Sequence, residues 1–172
     1  MTRRLACAAC ALAVLLVPIS VCARSDVGAR WLASVTYVVD GDSIWVRPAD
    51  GGRVRLRLEG IDAPEICQSF GTQARQAMQA MALGQQVWVT IRAYDVYDRA
   101  IAQVVRVRDE VDVAQQMVRD GWAWANRFHG RPSRYGGEES AARAVGRGLF
   151  AQPEPEWPGD FRRRHGPCTQ PR

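Results

Sequence analysis

From Arg53 to Glu59 the chain alternates strictly. Val54, Leu56 and Leu58 are apolar; Arg53, Arg55, Arg57 and Glu59 are charged. Successive side chains of a strand point to opposite faces, so this stretch reads as a strand with one face in a core and one charged face outside. Asp50-Gly51-Gly52 supplies the turn before it, and Asp40-Gly41-Asp42 separates two earlier strands, Val35 to Asp40 and Ile44 to Arg47. Val87 to Tyr94 and Ile101 to Arg108 alternate in the same way. Between the third and fourth strands the period changes. In Ser69 to Leu83, Ala74, Ala77, Met78, Met81 and Ala82 recur at helical spacing, and Gly84 follows as a stop. Asp112 is placed as the N-cap of a second helix with Val113, Met117 and Val118 on its apolar stripe and Gly121 at its end. A third helix is expected from about Glu138 to Arg147, and Trp122, Trp124 and Phe128 as core. Five short strands with one helix after the third predict an α+β fold: a five-stranded OB-type β-barrel with about three helices. An α+β sandwich carries the same periodicity, so closure into a barrel stays open at this level.

The two ends differ from this middle. Arg3 and Arg4 precede an apolar run from Leu5 to Val17, Pro18 breaks it, and Val21-Cys22-Ala23 ends on a small residue. That is the layout of a secretory signal, predicted to be cleaved after Ala23. The expected organisation is a signal peptide at 1–23, a leader at 24–34, a folded domain at 35–151 and a tail at 152–172. The predicted location is periplasmic or extracellular, without stable membrane insertion. An uncleaved anchor and a lipidated Cys22 are the alternatives; Pro18 and Ser20 weaken the first, and Val21 the second. After Phe150 come five prolines and Arg162, Arg163 and Arg164, a composition that lacks a core of its own. Cleavage would remove Cys7, Cys10 and Cys22 and leave Cys67 and Cys168 alone in an oxidising compartment. We expect a disulfide between them, with two unpaired thiols as the alternative. It would close a loop of about 100 residues, worth at most roughly 4.7 kcal/mol.

The net charge of +5 would fall to +3 on losing Arg3 and Arg4. Every basic side chain is arginine. The planar guanidinium suits phosphate, though genomic base composition explains the bias as well.

The informative charges are clustered. Asp40, Asp42, Asp62 and Glu65 lie at strand ends, and Arg57 and Arg99 lie close to such turns. Carboxylates converging from two turns make a hard-oxygen site for a divalent cation such as calcium. Aspartate also favours turns on its own account. The two arginines read equally as plain ion pairs or as a phosphate clamp beside a metal, where guanidinium and cation together offset charge on a phosphodiester under attack.

Three co-linear stretches sharpen this: Val39-Asp40-Gly41-Asp42-Ser43, Arg57-Leu58-Glu59-Gly60-Ile61-Asp62-Ala63-Pro64-Glu65, and Asp95-Val96-Tyr97-Asp98-Arg99. In order and spacing they resemble the staphylococcal nuclease (thermonuclease) family over about Val35 to Ala151. The resemblance implies an OB-fold barrel and calcium-dependent hydrolysis of DNA and RNA, by a monomer that prefers single-stranded or denatured substrate. It implies that Asp42 and Asp62 ligate Ca2+ through their side chains and Ala63 through its carbonyl, with Asp40 behind them. Glu65 would orient and deprotonate water, Arg57 and Arg99 would hold the scissile phosphate, and Tyr97 would contact the substrate. Two departures stand out. Asp98 occupies a position where the family usually has glycine, and was expected either to pull Arg99 off the phosphate or to help aim it. Asn126 to His129 replace residues that tend to be tyrosines. His129 and His165 are read as surface residues. The rival reading is a non-catalytic OB module that binds nucleic acid or a protein partner. Such a module has no need of the full set Asp42, Asp62, Glu65, Arg57 and Arg99.

Overall fold

A computed structural model of the chain describes residues 27–128 and 130–168. The expected signal peptide with Cys7, Cys10 and Cys22 lies outside the described residues, as does His129.

Five strands close a barrel in the order β1-β2-β3-β6-β5: β1 is Arg30–Val38, β2 Ser43–Pro48, β3 Val54–Leu58, β5 Gln86–Tyr94 and β6 Ala100–Arg106. The alternation that opened the argument is realised, with Leu56 and Leu58 buried in the barrel and Arg55 and Arg57 on the other face. Four of the five seams are antiparallel. The fifth, between β3 and β6, is parallel, with Leu56 opposite Ala100 and Arg57 opposite Ile101. Closure therefore brings the turn before β6 beside the polar face of β3. A short β4, Ile61–Asp62, pairs with β7, Trp124–Ala125, so that Asp62 lies opposite Trp124. A further small pair, β8 (Arg127–Phe128) and β9 (Arg131–Pro132), follows.

Helix α1, Gly71–Ala82, buries Ala74, Met78 and Ala82 against the barrel, as its spacing predicts. Helix α2, Val113–Arg119, starts on Asp112, whose side chain accepts a hydrogen bond from the Gln115 amide at 3.1 Å. Helix α3 spans Gly136–Ala144. The structure departs from the expectations at both ends. Arg30 to Ser34, read as leader, are the first half of β1 and pair with β5. The alternation there is blurred because Leu32 sits at the wrong parity beside Trp31 and Ala33. The segment read as a coreless tail carries a fourth helix, α4, Pro158–His165. Ahead of it Trp157 packs on Trp124, their rings 5.6 Å apart, in a small second core with Leu149 and Phe150. Cys67 and Cys168 are joined by a disulfide that pins the end of this segment to the barrel.

Candidate active site

The turn after β1 and the turn after β3 meet at glycine. A methyl group on Gly41 would lie 2.6 Å from the Ala63 side chain and 2.9 Å from that of Ala74, so only glycine allows this approach. The approach sets Asp42 against the second turn. One of its carboxylate oxygens accepts from the Ala63 amide at 2.9 Å and the other from the Ser43 hydroxyl at 3.0 Å. Asp40 closes its own turn by accepting from the Asp42 amide at 3.0 Å. The polar face of β3 supplies Arg57 between the two turns. Its guanidinium pairs with Asp42, donates to Asp62 Oδ1 at 2.8 Å and donates to the Ile61 carbonyl at 3.2 Å. Asp42 and Asp62 are both buried.

The charges in this cluster respond differently to burial. Burial, then the neighbouring charge of Asp42, pushes Asp40 up to about 7. Burial opposes charge on Asp42 as well, but Arg57 and the Ala63 amide outweigh it and hold Asp42 below the ordinary carboxylate range. At Asp62 burial wins over Arg57, and its carboxyl is held above that range. Burial would strip charge from Arg57, yet the two aspartates outweigh it and keep the guanidinium charged.

Glu65 is only partly buried, and Arg162 of α4 reaches it at 2.6 Å, with a second contact to Asp62 Oδ2 at 3.3 Å. The turn before β6 adds the remaining wall. Asp95 accepts from the amides of Tyr97 and Arg99 and, at 2.7 Å, from the Arg99 Nε. Asp95 thus holds both the backbone and the side chain of Arg99. Asp98 itself sits at φ 61, the left-handed region, which aspartate tolerates better than most residues. Tyr97 is 77% exposed, and the Arg99 guanidinium lies 5.5 Å from its ring centre. Asp40, Asp42, Arg57, Ala63, Glu65, Tyr97 and Arg99 all line one cavity of about 740 Å³. Asp62 is reached from it through Arg57 and Arg162.

A family model described as staphylococcal nuclease homologue matches residues 55–152. The chain belongs to the staphylococcal nuclease family. Among its relatives, Protein ParB of Escherichia coli is 38% identical over 165 residues, covering 91% of this chain and 89% of the relative. Micrococcal nuclease of Shigella flexneri is 34% identical over 144 residues, covering 78% and 82%. An uncharacterized endonuclease of Escherichia coli is 35% identical over 130 residues, covering 76% and 84%. Family and relatives together support a nuclease function. The family match begins inside β3 and ends before α4, so the disulfide-tied helix lies beyond it.

Among the described residues no three Asp, Glu, His or Cys side chains form a ready-made metal cluster. The hard-oxygen donors present are the two carboxylates Asp42 and Asp62 and the backbone of the Ala63 turn. Buried carboxylates beside a backbone turn are the donor type that fits a divalent cation. Arg162 and Asp95 were absent from the residues singled out for roles in the sequence. Asp95 lies inside a quoted motif and was open to notice. Arg162 is noted in the sequence only as one of three consecutive tail arginines, with nothing local to set it apart from Arg163 and Arg164.

Proposed function

We propose that the chain is a secreted, calcium-dependent endonuclease that hydrolyses phosphodiester bonds of DNA and RNA with little sequence preference. The observation that carries this reading is the meeting of Asp42, Arg57, Glu65 and Arg99 around one open cavity, with Asp62 tied in through Arg57. Asp42 and Asp62, with the Ala63 carbonyl, would hold the cation, and Asp40 tunes their charge from behind. Calcium, when bound, supplies positive charge opposite the phosphate oxygens. Glu65 orients a water and takes its proton as the water oxygen bonds to phosphorus and the leaving P–O bond breaks. Arg57 and Arg99 offset charge that grows on the phosphoryl oxygens. Tyr97, exposed at the rim, meets the sugar-phosphate chain. Contacts of this kind carry no base sequence, which accounts for low specificity and favours flexible, single-stranded or denatured substrate.

Secretion rests on the Arg3 to Ala23 pattern and is consistent with the disulfide, a bond typical of oxidising compartments. No helix of the described residues is long and apolar enough to cross a membrane. We take the working unit to be a monomer, as the family resemblance implies.

The test is cleavage of denatured DNA by purified protein with calcium and with a chelator. Chelation should stop cleavage. Glu65→Gln should slow it by about 10²–10⁴-fold while leaving strand binding in place. Undiminished cleavage in chelator, or by the Glu65→Gln variant, refutes the mechanism. Strand binding without any cleavage turns the reading toward a non-catalytic binding module.

A further inference from the structure

The cavity has a wall that the barrel does not make. Arg162, Pro167 and Cys168 line it, and all three come from the C-terminal segment. Arg162 Nη1 contacts Glu65 Oε1 at 2.6 Å and Asp62 Oδ1 at 3.5 Å, and Nη2 contacts Asp62 Oδ2 at 3.3 Å. Its side chain stays 42% exposed on the cavity side, whereas that of Arg57 is 16% exposed and spent on Asp42 and Asp62. Burial opposes the charge on Arg162, but Asp62 and Glu65 outweigh it and hold the guanidinium firmly positive.

Three attachments hold the segment in place. Trp157 packs on Trp124, the Gln68 side chain donates to the Glu156 carbonyl at 2.6 Å, and Cys168 is bonded to Cys67, two residues after Glu65. The wall is thus fastened beside the residue it faces. A surface arginine without a function has no need of such a mounting. A guanidinium presents five donors in a planar fork, so one edge engages carboxylates while another remains for phosphate.

We propose that Arg162 is a further substrate-binding residue: it takes a phosphate of the nucleic-acid strand on the Glu65 side of the cavity, and the Cys67–Cys168 disulfide keeps it there. The inference rests on the nuclease reading above and adds to it. Arg57 and Arg99 approach the cavity from neighbouring barrel strands, and Arg162 approaches from outside the barrel. The strand is held from a third side. The tether raises the local concentration of the arginine at the site, so it contributes to affinity without a new ordering cost for each strand bound.

The experiment is fluorescence anisotropy of a labelled single-stranded oligothymidylate, titrated with full-length purified protein in chelator at several salt concentrations. Arg162→Gln should bind about tenfold more weakly, as expected for one lost charged hydrogen bond. The slope of log affinity against log salt should fall in magnitude by about 0.7, the count of one single-strand phosphate contact. Arg162→Lys should restore the slope, because the slope counts charges. The Cys67→Ser/Cys168→Ser protein should bind as weakly as Arg162→Gln, and combining the changes should cost nothing more. Unchanged or tighter binding by Arg162→Gln overturns the proposal; tighter binding would make Arg162 a plug. So does intact binding with a fallen kcat, which would mean that Arg162 acts only through Glu65. A full Arg162→Gln effect in the Cys67→Ser/Cys168→Ser background overturns the part assigned to the disulfide. A wild-type protein that binds no strand and cleaves none defeats the nuclease reading itself.

Discussion

The Arg57 bridge on β3 and the Arg99–Asp95 pair on the turn before β6 live in different surroundings. Arg57 bridges Asp42 and Asp62 beneath the surface, with little solvent to screen the charges. Arg99 holds Asp95 at 2.7 Å on an exposed turn beside Val96 and Tyr97, which are 93% and 77% exposed. The chemistry of the two pairs is the same; burial separates their consequences. A buried pair must be complete, because each charge left alone inside costs several kcal/mol. A pair on a turn sits among water and salt, and losing it barely moves the folding equilibrium. Arg57 is therefore bound up with the fold as well as with the proposed chemistry, whereas half-buried Arg99 contributes less to the fold.

Replacement of each arginine is the most direct way to break this contrast. Arg57→Met strands Asp42 and Asp62 and should cost about 3–5 kcal/mol in a urea titration, together with cleavage. A stability loss under 1 kcal/mol would show that the two pairs do not differ. Arg99→Ala should cost less than about 1 kcal/mol of stability. Its effect belongs in the rate, where losing a donor to the developing charge costs about 10²–10³-fold. A large drop in thermal stability for that variant would contradict the assignment.

A smaller effect sharpens the contrast from the side of pH. Asp40 is held at about 7 by burial and by the charge of Asp42. Between about pH 4 and 7 the folded chain keeps a proton that the unfolded chain has released. The stabilising contribution is complete below pH 4 and is lost as pH rises through 7. Asp40→Asn keeps the oxygen that accepts from the Asp42 amide and removes the titration. In chelator, the wild-type melting temperature should therefore fall relative to this variant between pH 5 and 8. Parallel curves would mean that Asp40 is ionised at no cost. Asp95 on the exposed turn shifts the opposite way: slight burial raises it, but the Arg99 amide and side chain lower it more.

How much of this was readable beforehand follows from the range of the interactions. The strand β3 and helix α1 are written in local periodicity, and the placement of Leu56, Leu58, Ala74 and Met78 in the core follows from it. The cap at Asp112 is equally local. The parallel seam between β3 and β6 is not, because nothing near Leu56 says that Ala100 will lie beside it. The open choice between ion pair and clamp for Arg57 depends on burial, which alternation alone does not measure; the structure forms the ion pairs, and the clamp remains the proposal made above. The role of Asp95 was hidden because Asp98 is adjacent to Arg99 in sequence, whereas Asp95 lies four residues away and meets it only through the turn. The C-terminal segment was misread for a physical reason: α4 contributes little apolar surface of its own and is held by a tryptophan before it, a disulfide after it and one arginine within it. None of these leaves a periodic trace.

The pairing of Arg57 with Ile101 across the parallel seam has one more consequence. Side chains on a strand alternate, so a slip of β3 by one residue would exchange Arg57 with Leu58. The guanidinium would enter the barrel, the leucine would face the carboxylates, and the barrel would lose its lining in the same movement. Register errors are thus penalised twice, once by the core and once by the charges. A partly zipped barrel cannot carry a complete site, because Arg57 and the turn that bears Arg99 come together only when the β3–β6 seam is formed.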